Sequence, residues 1–147
     1  MELSEVDKRI VNVLQEDGKL SYREIAKNTR VSPVTAMKHV HMLEKEKVIR
    51  KYSAIIDYEK IGFDVSVIVD VRVAKGKLFQ VEKKIASHPN VYAVYDNTGQ
   101  FDVTVIARFR TRAGMDKFLK NLQSYEFVER TETKLILNTI KEEGVKV

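Results

Sequence analysis

The sequence contains no cysteine among its 147 residues, which excludes disulfide bonds, thiolate metal sites and cysteine nucleophiles. It also lacks a long apolar run. The most apolar stretch, residues 63–73, is interrupted by Asp64, Ser66, Asp70 and Arg72, so we expect no membrane-spanning segment and no membrane partner. The N-terminal MELSEVDKR has no apolar signal-peptide core. These absences predict a soluble, cytoplasmic protein.

Motifs of common enzyme classes are also missing. There is no P-loop, no glycine-rich dinucleotide turn, no His-Glu-x-x-His and no Gly-x-Ser-x-Gly. A fold can host catalysis without these motifs, so their absence does not settle the question by itself. We expect a protein that is not an enzyme and that has no catalytic residues and no cofactor.

Positive charge is concentrated in one part of the chain. The formal net charge is +5, and the apolar fraction of 44% is normal for a globular protein. Residues 18–51 contain nine Lys or Arg against three Glu, whereas residues 1–17 contain two basic and five acidic side chains. This distribution favours a polyanion-binding surface within residues 18–51.

Three helices are predicted in this N-terminal third. Ser4 followed by Asp7, and Ser21 followed by Glu24, are typical of capping boxes that begin helices near residues 5 and 22. Ser32 followed by Pro33 predicts the start of a third helix. A short polar helix followed by a longer one at this spacing indicates a helix-turn-helix, whose second helix enters the major groove of DNA.

The third predicted helix has two different faces. At roughly 100° per residue, Ala36, Val40 and Leu43 share one side, and Val34 and Lys38 lie opposite. We predict that residues near the start of this helix contact bases, a methyl group touching thymine and the lysine ammonium reaching guanine. Most of the others are predicted to contact phosphates. The full predicted DNA-binding set is Tyr22, Arg23, Lys27, Arg30, Ser32, Val34, Thr35, Lys38, His39, His41, Arg50 and Lys51.

Two other interpretations of this region remain open. The basic face of an amphipathic helical hairpin is often only solvated, without any nucleic acid. His39 and His41 invite a metal site, but side chains two residues apart on a helix point ~200° apart and no further ligand lies nearby in the sequence. We therefore expect no metal.

The pattern changes after residue 48. Ile49, Tyr52, Ala54 and Ile56 indicate an extended segment and predict a short strand, followed by a linker. Further on, strand-like and helix-like segments follow in the order β-α-β-β-α-β, which is typical of a ferredoxin-like sandwich. The first of these strands alternates valines with Asp64, Ser66, Ile68, Asp70 and Arg72. Its mixed second side favours a subunit interface.

The chain resembles the Lrp/AsnC (feast/famine) family of transcription regulators. The segments that carry the resemblance are DKRIVNVLQEDGKLSYREIAKNTRVSPVTAMKHVHMLEKEKVI, YSAIIDYEKIGF, NTGQFDVTV and VERTETKLIL. The resemblance implies a homodimer, possibly a tetramer of dimers, and a small effector, typically an amino acid, bound between dimers. Gly99 and Asp102 match the family's Gly-x-x-Asp turn. The candidate effector-binding residues are Thr98, Gly99, Gln100, Asp102, Thr131 and Thr133. An ordinary turn with a solvated aspartate is the competing interpretation.

Two positions depart from the family pattern. Lys47 stands where the family usually has glycine, and a left-handed residue there would cost ~1 kcal/mol. We therefore expect the helix to end differently. His39 stands where the family often has arginine, which predicts a weaker and pH-sensitive phosphate contact.

Together these features predict an α+β chain with a helix-turn-helix (winged-helix-like) domain joined to a ferredoxin-like βαββαβ domain. We expect a DNA-binding domain in residues 1–51, a strand and linker in 52–62, and an effector-binding and oligomerisation domain in 63–147. The leading functional hypothesis is a sequence-specific, effector-modulated regulator that binds double-stranded DNA. The alternatives are a weakly specific architectural DNA-binding protein and a metabolic sensor whose basic N-terminus binds protein.

Overall fold

The computed structural model describes residues 1–147, which divide into two compact units. One unit comprises residues 1–55 and 141–147, and the other comprises residues 56–140. The longest helix has 13 residues, and no helix combines the length and apolar character that crossing a membrane requires.

The first unit contains the three predicted helices, α1 (Glu5–Glu16), α2 (Tyr22–Thr29) and α3 (Pro33–Lys45). Each begins as the sequence indicates. The side chains of Ser4 and Ser21 accept hydrogen bonds from the third backbone N–H of their helices, and Asp7 and Glu24 complete both capping boxes. Ser32 accepts from the N–H of Thr35, and Pro33 occupies the first helical position. Local chemistry therefore determines where all three helices start.

The three helices pack around a small apolar core. α3 contributes Ala36, Val40 and Leu43 to it, as its periodicity predicts. The other fully buried members are Ile10, Ile25 and Ala26. Complete burial of a leucine or isoleucine side chain contributes ~1.5–3 kcal/mol. The core thus fixes which face of α3 remains in solvent.

The end of α3 corrects one expectation. Lys47 has a φ of 60° and is left-handed, so the chain keeps the family's usual helix end without its glycine. The N–H of Lys47 donates to the carbonyl oxygen of Glu44, and that of Ile49 donates to Leu43. These bonds satisfy the last carbonyls of the helix and compensate for the strain at Lys47.

The predicted strand at residues 49–56 is absent. This segment is irregular, and a single 3-10 turn, Glu59–Ile61, follows it. An isolated strand leaves its backbone groups unpaired, and the chain supplies no neighbouring strand for it. Tyr52 and Ile55 are exposed as a result.

Residues 141–147 were predicted to belong to the second domain, but they lie in the first unit. The side-chain amide of Asn12 donates to the carbonyl oxygen of Val147 at 2.7 Å and accepts from its N–H at 3.0 Å. Gln15 donates to the carbonyl oxygen of Val145 at 3.0 Å. The end of the chain is therefore held against α1.

The second unit contains β1 (Val65–Val73), α4 (Leu78–Ala86), β2 (Val91–Asp96), β3 (Val103–Phe109), α5 (Arg112–Gln123) and β4 (Val128–Leu135). The strands form an antiparallel sheet in the order β2-β3-β1-β4. This is the predicted ferredoxin-like topology.

The two faces of this sheet differ as predicted. Val67, Val69, Val71 and Val73 of β1 are buried in a core with side chains of α4 and α5. On the other face, Asp70 accepts hydrogen bonds from the Thr104 hydroxyl at 2.7 Å and from Nζ of Lys134 at 2.9 Å. The second face is thus organised by polar contacts and is not covered by helices.

Candidate nucleic-acid interface and ligand loop

The solvent face of α3 begins with Val34, which is 57% exposed, and continues one turn later with the exposed Lys38. Thr35 lies beside them, partly buried, and its hydroxyl accepts a hydrogen bond from Ser32 at 2.8 Å. This bond orients the threonine with its hydroxyl toward the helix cap. An apolar group and a cation therefore project from the first two turns of the helix.

A polar contact links α2 to α3 at the edge of this face. The Tyr22 hydroxyl lies 3.1 Å from Nε2 of His41, and the two rings meet edge to face at a centroid distance of 5.9 Å. Each side chain was predicted separately as a DNA contact. Their pairing was missed, because residues 19 positions apart on different helices carry no local signal of contact.

The remaining predicted basic residues are all exposed. Arg23 and Lys27 lie on α2, Arg30 ends that helix with a left-handed φ of 58°, and Arg50 and Lys51 follow α3. Exposed cations can neutralise phosphates with little desolvation cost, which gives salt-dependent affinity for nucleic acid. The first unit therefore presents several exposed cations next to α3.

A further contact holds the segment that carries Arg50 and Lys51. The Tyr52 hydroxyl donates to a carboxylate oxygen of Glu44 on α3 at 2.9 Å. Tyr52 is about half exposed (49%), and its partial burial together with this carboxylate raises the pKa of Tyr52 to about 12. The sequence offered no sign of this role for Tyr52, which was predicted only as a strand residue.

His39 has a partner that the sequence did not predict. It was predicted to contact phosphate, but its Nδ1 lies 2.6 Å from a carboxylate oxygen of Asp7 on α1. Asp7 is 4% exposed, so the imidazole is oriented toward the interior of the unit. His39 and His41 thus contact different helices, Asp7 on α1 and Tyr22 on α2.

The second candidate site is the loop between β2 and β3. Thr98, Gly99 and Gln100 are exposed, and Gly99 has a φ of 114°, a conformation that side chains disfavour. At the base of the loop, Oδ2 of Asp102 accepts the N–H of Val73 at 2.8 Å. Asp102 is therefore not simply solvated, because one of its oxygens braces the loop against β1.

The two predicted threonines on β4 lie apart from this loop. Thr131 pairs with Val71 and Thr133 with Val69, so both occupy the face covered by helices. The hydroxyl of Thr131 accepts from the side-chain amide of Gln123 on α5 at 3.1 Å. β1 separates β4 from β3, which places them ~10 Å apart. Within one chain, residues 98–102 lie together in the loop, whereas Thr131 and Thr133 do not lie beside them.

A cavity of about 560 Å³ lies elsewhere in the second unit, between α4 and β2. Its lining includes Phe79, Glu82, Tyr95 and Asp96, and none of the predicted effector residues. Burial, reinforced by the nearby Asp96, raises the pKa of Glu82, whose Oε1 has no hydrogen-bond partner. Sequence reasoning did not identify this cavity.

Comparison with known proteins also divides the chain in two, between residues 50 and 66. Residues 3–50 match the model of a winged helix-turn-helix DNA-binding domain. Residues 66–145 match the model of the Lrp/AsnC ligand binding domain. Each match covers most of one of the two units.

Curated relatives align over nearly the whole chain. An uncharacterized HTH-type transcriptional regulator of Pyrococcus abyssi is 38% identical over 141 residues, which is 96% of each chain. The HTH-type transcriptional regulator FL11 of Pyrococcus horikoshii is 36% identical over 140 residues, covering 95% of this chain and 93% of that protein.

Solved structures share the fold at lower identity. AsnC of E. coli superimposes with a TM-score of 0.92 at 21% identity and covers 100% of both chains. A transcriptional regulator of Neisseria meningitidis, solved as an L-Met complex, superimposes with a TM-score of 0.89 at 24% identity, covering 97% of this chain and 94% of that one.

Proposed function

The chain belongs to the Lrp/AsnC family of transcriptional regulators, and on that basis we propose that it binds specific DNA sequences under the control of a small effector, an amino acid. The family assignment supplies a DNA-binding helix-turn-helix and a ligand-binding domain. Sequence specificity, the class of effector and the residues that act belong to the proposal.

The observation that carries the DNA-binding part is the exposed first half of α3. Ala36, Val40 and Leu43 anchor the helix in the core, so Val34 and Lys38 must face outward. A helix inserted in the major groove reads bases with the residues of its first turns. We assign thymine-methyl contact to Val34 and the methyl of Thr35, and guanine recognition to Lys38.

Phosphate contacts are assigned to the exposed groups around this face. They are Tyr22, Arg23, Lys27, Arg30, Ser32, His41, Arg50 and Lys51. These contacts fix the position of the helix on the duplex and carry no sequence information of their own. The Tyr22–His41 contact supports this assignment, because it holds two of these side chains at the edge of the exposed face of α3, where α2 meets α3.

Selection of bound duplexes from a random library tests sequence specificity. We expect one sequence family to be enriched, and Lys38→Ala to weaken its binding by about tenfold while changing random-duplex binding much less. Lys117→Ala, at an exposed position of α5, is the matched control and should bind as the parent does. No enrichment would refute specificity and favour an architectural DNA-binding protein.

A second substitution separates base contacts from phosphate contacts. Lys27→Ala should weaken binding to selected and random duplexes equally. It should also reduce the slope of log affinity against log salt concentration by about one. If Thr35→Ala combined with Lys38→Ala leaves DNA affinity unchanged, the basic surface has another role, such as binding protein.

The effector part of the proposal rests on the loop at Gly99 and on the family's ligand-binding domain. Open backbone N–H groups at residues 98–100 suit a carboxylate, and Oδ1 of Asp102 suits an ammonium group. An α-amino acid carries both. The L-Met complex of the Neisseria meningitidis regulator supports this chemical class.

We propose that the ligand site is completed by a second copy of the chain. The loop is exposed, and Thr131 and Thr133 are separated from it by β1 within one chain. A ligand held by the loop of one copy would reach such threonines from another copy in a homodimer or a tetramer of dimers. Assembly would then respond directly to the ligand.

Calorimetry against a panel of amino acids, combined with the mass of the assembly in solution, tests this part. We expect at least one amino acid to bind and to change either the assembly or the DNA affinity. Asp102→Asn should weaken that binding while retaining an oxygen that accepts from Val73. If no amino acid binds and assembly does not change, an effector-free architectural role is favoured.

A further inference from the structure

Oε1 of Glu82 is the one buried side-chain polar atom of the chain that has no hydrogen-bond partner. Glu82 lies on α4 and lines the cavity of about 560 Å³ between α4 and β2. Buried polar atoms in proteins nearly always have a partner, so an exception of this kind is informative. Because no group of the protein donates to this oxygen, it is open to a donor that enters from the cavity.

A second carboxylate lines the same cavity, that of Asp96 at the end of β2. Burial, together with the negative charge of Asp96, raises the pKa of Glu82. Lys83 also lines the cavity, but its charge does not offset this rise. A water molecule can donate a hydrogen bond to Glu82, whereas only a cation also relieves the repulsion between the two carboxylates.

The remaining lining of the cavity is apolar or aromatic. Phe79 and Glu82 are three residues apart on α4 and therefore share one face of that helix. Phe79 is 74% exposed and Tyr95 on β2 is 55% exposed, so both rings are accessible beside the carboxylates. The faces of aromatic rings attract ammonium and guanidinium groups. The lining thus combines two negative charges with two accessible aromatic rings.

We propose that this cavity binds a small organic cation, a compound with an alkylammonium or guanidinium group, between its two carboxylates and its two accessible rings. The four groups belong to Phe79, Glu82, Tyr95 and Asp96. The volume of the cavity lies within the range of small-molecule sites, ~300–1,000 Å³. None of its lining residues belongs to the loop at Gly99, so the inference does not depend on the proposed function.

The composition of the lining favours an organic cation over a metal ion. Ca²⁺ takes about six to eight oxygen ligands, and Mg²⁺ requires a nearly octahedral arrangement of oxygens. The cavity supplies two carboxylates, a lysine and otherwise apolar or aromatic side chains. An alkyl chain can pack against the apolar part of this lining, while its cationic end neutralises the carboxylates.

Titration of the full chain with n-butylguanidinium chloride and n-butylammonium chloride, followed by nuclear magnetic resonance at constant ionic strength, tests the proposal. We expect the resonances of Phe79, Val94 and Tyr95 to shift and saturate, whereas 1-pentanol, a neutral compound of similar size, should shift them little. Glu82→Gln keeps the shape of the side chain and removes its charge, so it should weaken cation binding about tenfold. Glu126→Gln, the same change at an exposed position, is the matched control and should bind within about twofold of the parent.

Two further measurements separate a binding role of Glu82 from a structural one. Without any cation, Glu82→Gln should raise the midpoint of urea unfolding at pH 8, because it removes an unpaired charge beside Asp96. A lowered midpoint would show that Glu82 supports the fold and would overturn the proposal. Lys83→Met should strengthen cation binding, because it removes a competing positive charge from the lining.

The proposal is also overturned if neither cation shifts these resonances, if 1-pentanol binds as well as the cations do, or if Glu82→Gln keeps the parent affinity. The mass of the assembly in solution identifies a different occupant. If no amine binds and Glu82→Gln changes that mass, the cavity takes a lysine or arginine of another chain, and the small-molecule proposal is wrong.

Discussion

Replacing Lys47 by glycine should stabilise the first unit. Lys47 adopts a φ of 60° just after α3, and a left-handed backbone costs a residue with a Cβ ~1–2 kcal/mol. Glycine removes that cost but adds ~0.5–1 kcal/mol of conformational entropy to the unfolded chain. The difference predicts a net gain in the free energy of unfolding of about 0.5–1 kcal/mol.

Urea unfolding followed by far-ultraviolet circular dichroism measures this gain. With a slope of ~2 kcal/mol per molar urea, the midpoint should rise by about 0.4 M at unchanged slope. Lys47→Ala is the matched control, because it removes the same charge and side chain and keeps the strained Cβ. DNA affinity should change equally in both variants, since they lose the same cation.

Either of two outcomes would contradict the backbone argument. If Lys47→Ala stabilises the protein as much as Lys47→Gly does, the effect comes from the lost charge. If Lys47→Gly lowers the midpoint, the left-handed conformation is compensated by contacts of the lysine side chain, and the strain at this position is smaller than its φ implies.

Three further predictions concern other contacts. Gly99→Ala should weaken effector binding in calorimetry and leave a fold that circular dichroism cannot distinguish from the parent, because the substitution meets no atom within 4 Å but strains a φ of 114°. Lys134→Met should make acid unfolding begin at a higher pH. Burial acts to raise the pKa of Asp70, but the contacts with Lys134 and Thr104 together lower that pKa below its ordinary value. The stability tied to this lowered pKa is present at neutral pH and disappears as the pH falls through it. Tyr52→Phe should remove the tyrosine whose ionisation, followed by ultraviolet absorbance, occurs near pH 12. The raised pKa of Tyr52 stabilises the fold below pH ~10, and this stabilisation disappears as the pH rises toward 12. The free energy of unfolding of the variant should therefore lack this decrease between pH ~10 and 12.

Features determined by neighbouring residues were predictable from the sequence. The starts of α1, α2 and α3 follow from Ser4, Ser21 and Ser32, because a capping side chain acts on N–H groups within three residues. The alternation of valines in β1 likewise predicted its buried face. These signals are short-range and depend little on the rest of the fold.

Contacts between distant elements were not predictable in this way. The Asp7–His39 and Tyr22–His41 contacts join residues 32 and 19 positions apart, and each depends on how the helices are rotated against each other. His39 lies on the flank of α3, where a pattern of apolar spacing cannot distinguish solvent from a polar partner.

The grouping of Thr131 with the loop, which stays a prediction, and the wrongly expected strand in the linker both lacked information on strand pairing. Thr131 was grouped with the loop at Gly99 without its register, which pairs it with Val71 and turns it toward the helices. The strand expected at residues 49–56 had suitable side chains but no partner within the chain. β-structure depends on pairing, so alternation alone predicts a capacity for a strand and not its presence.

The proposed DNA reading requires two copies of the chain, because the proposed reading face is small. Val34, Thr35 and Lys38 lie within two turns of one helix and can reach only a few base pairs, so useful specificity needs a second helix at a fixed spacing. The sheet face that carries Ile68 and the Asp70 network is not covered by helices. Two such faces could pack together without burying many unpaired charges, because Asp70 is already paired with Lys134. Mutating Ile68 to lysine would place two unpaired cations in that interface. If the copies meet there, this single change should abolish both the dimer and tight DNA binding, while a monomer with unchanged DNA affinity would show that one helix reads the site alone.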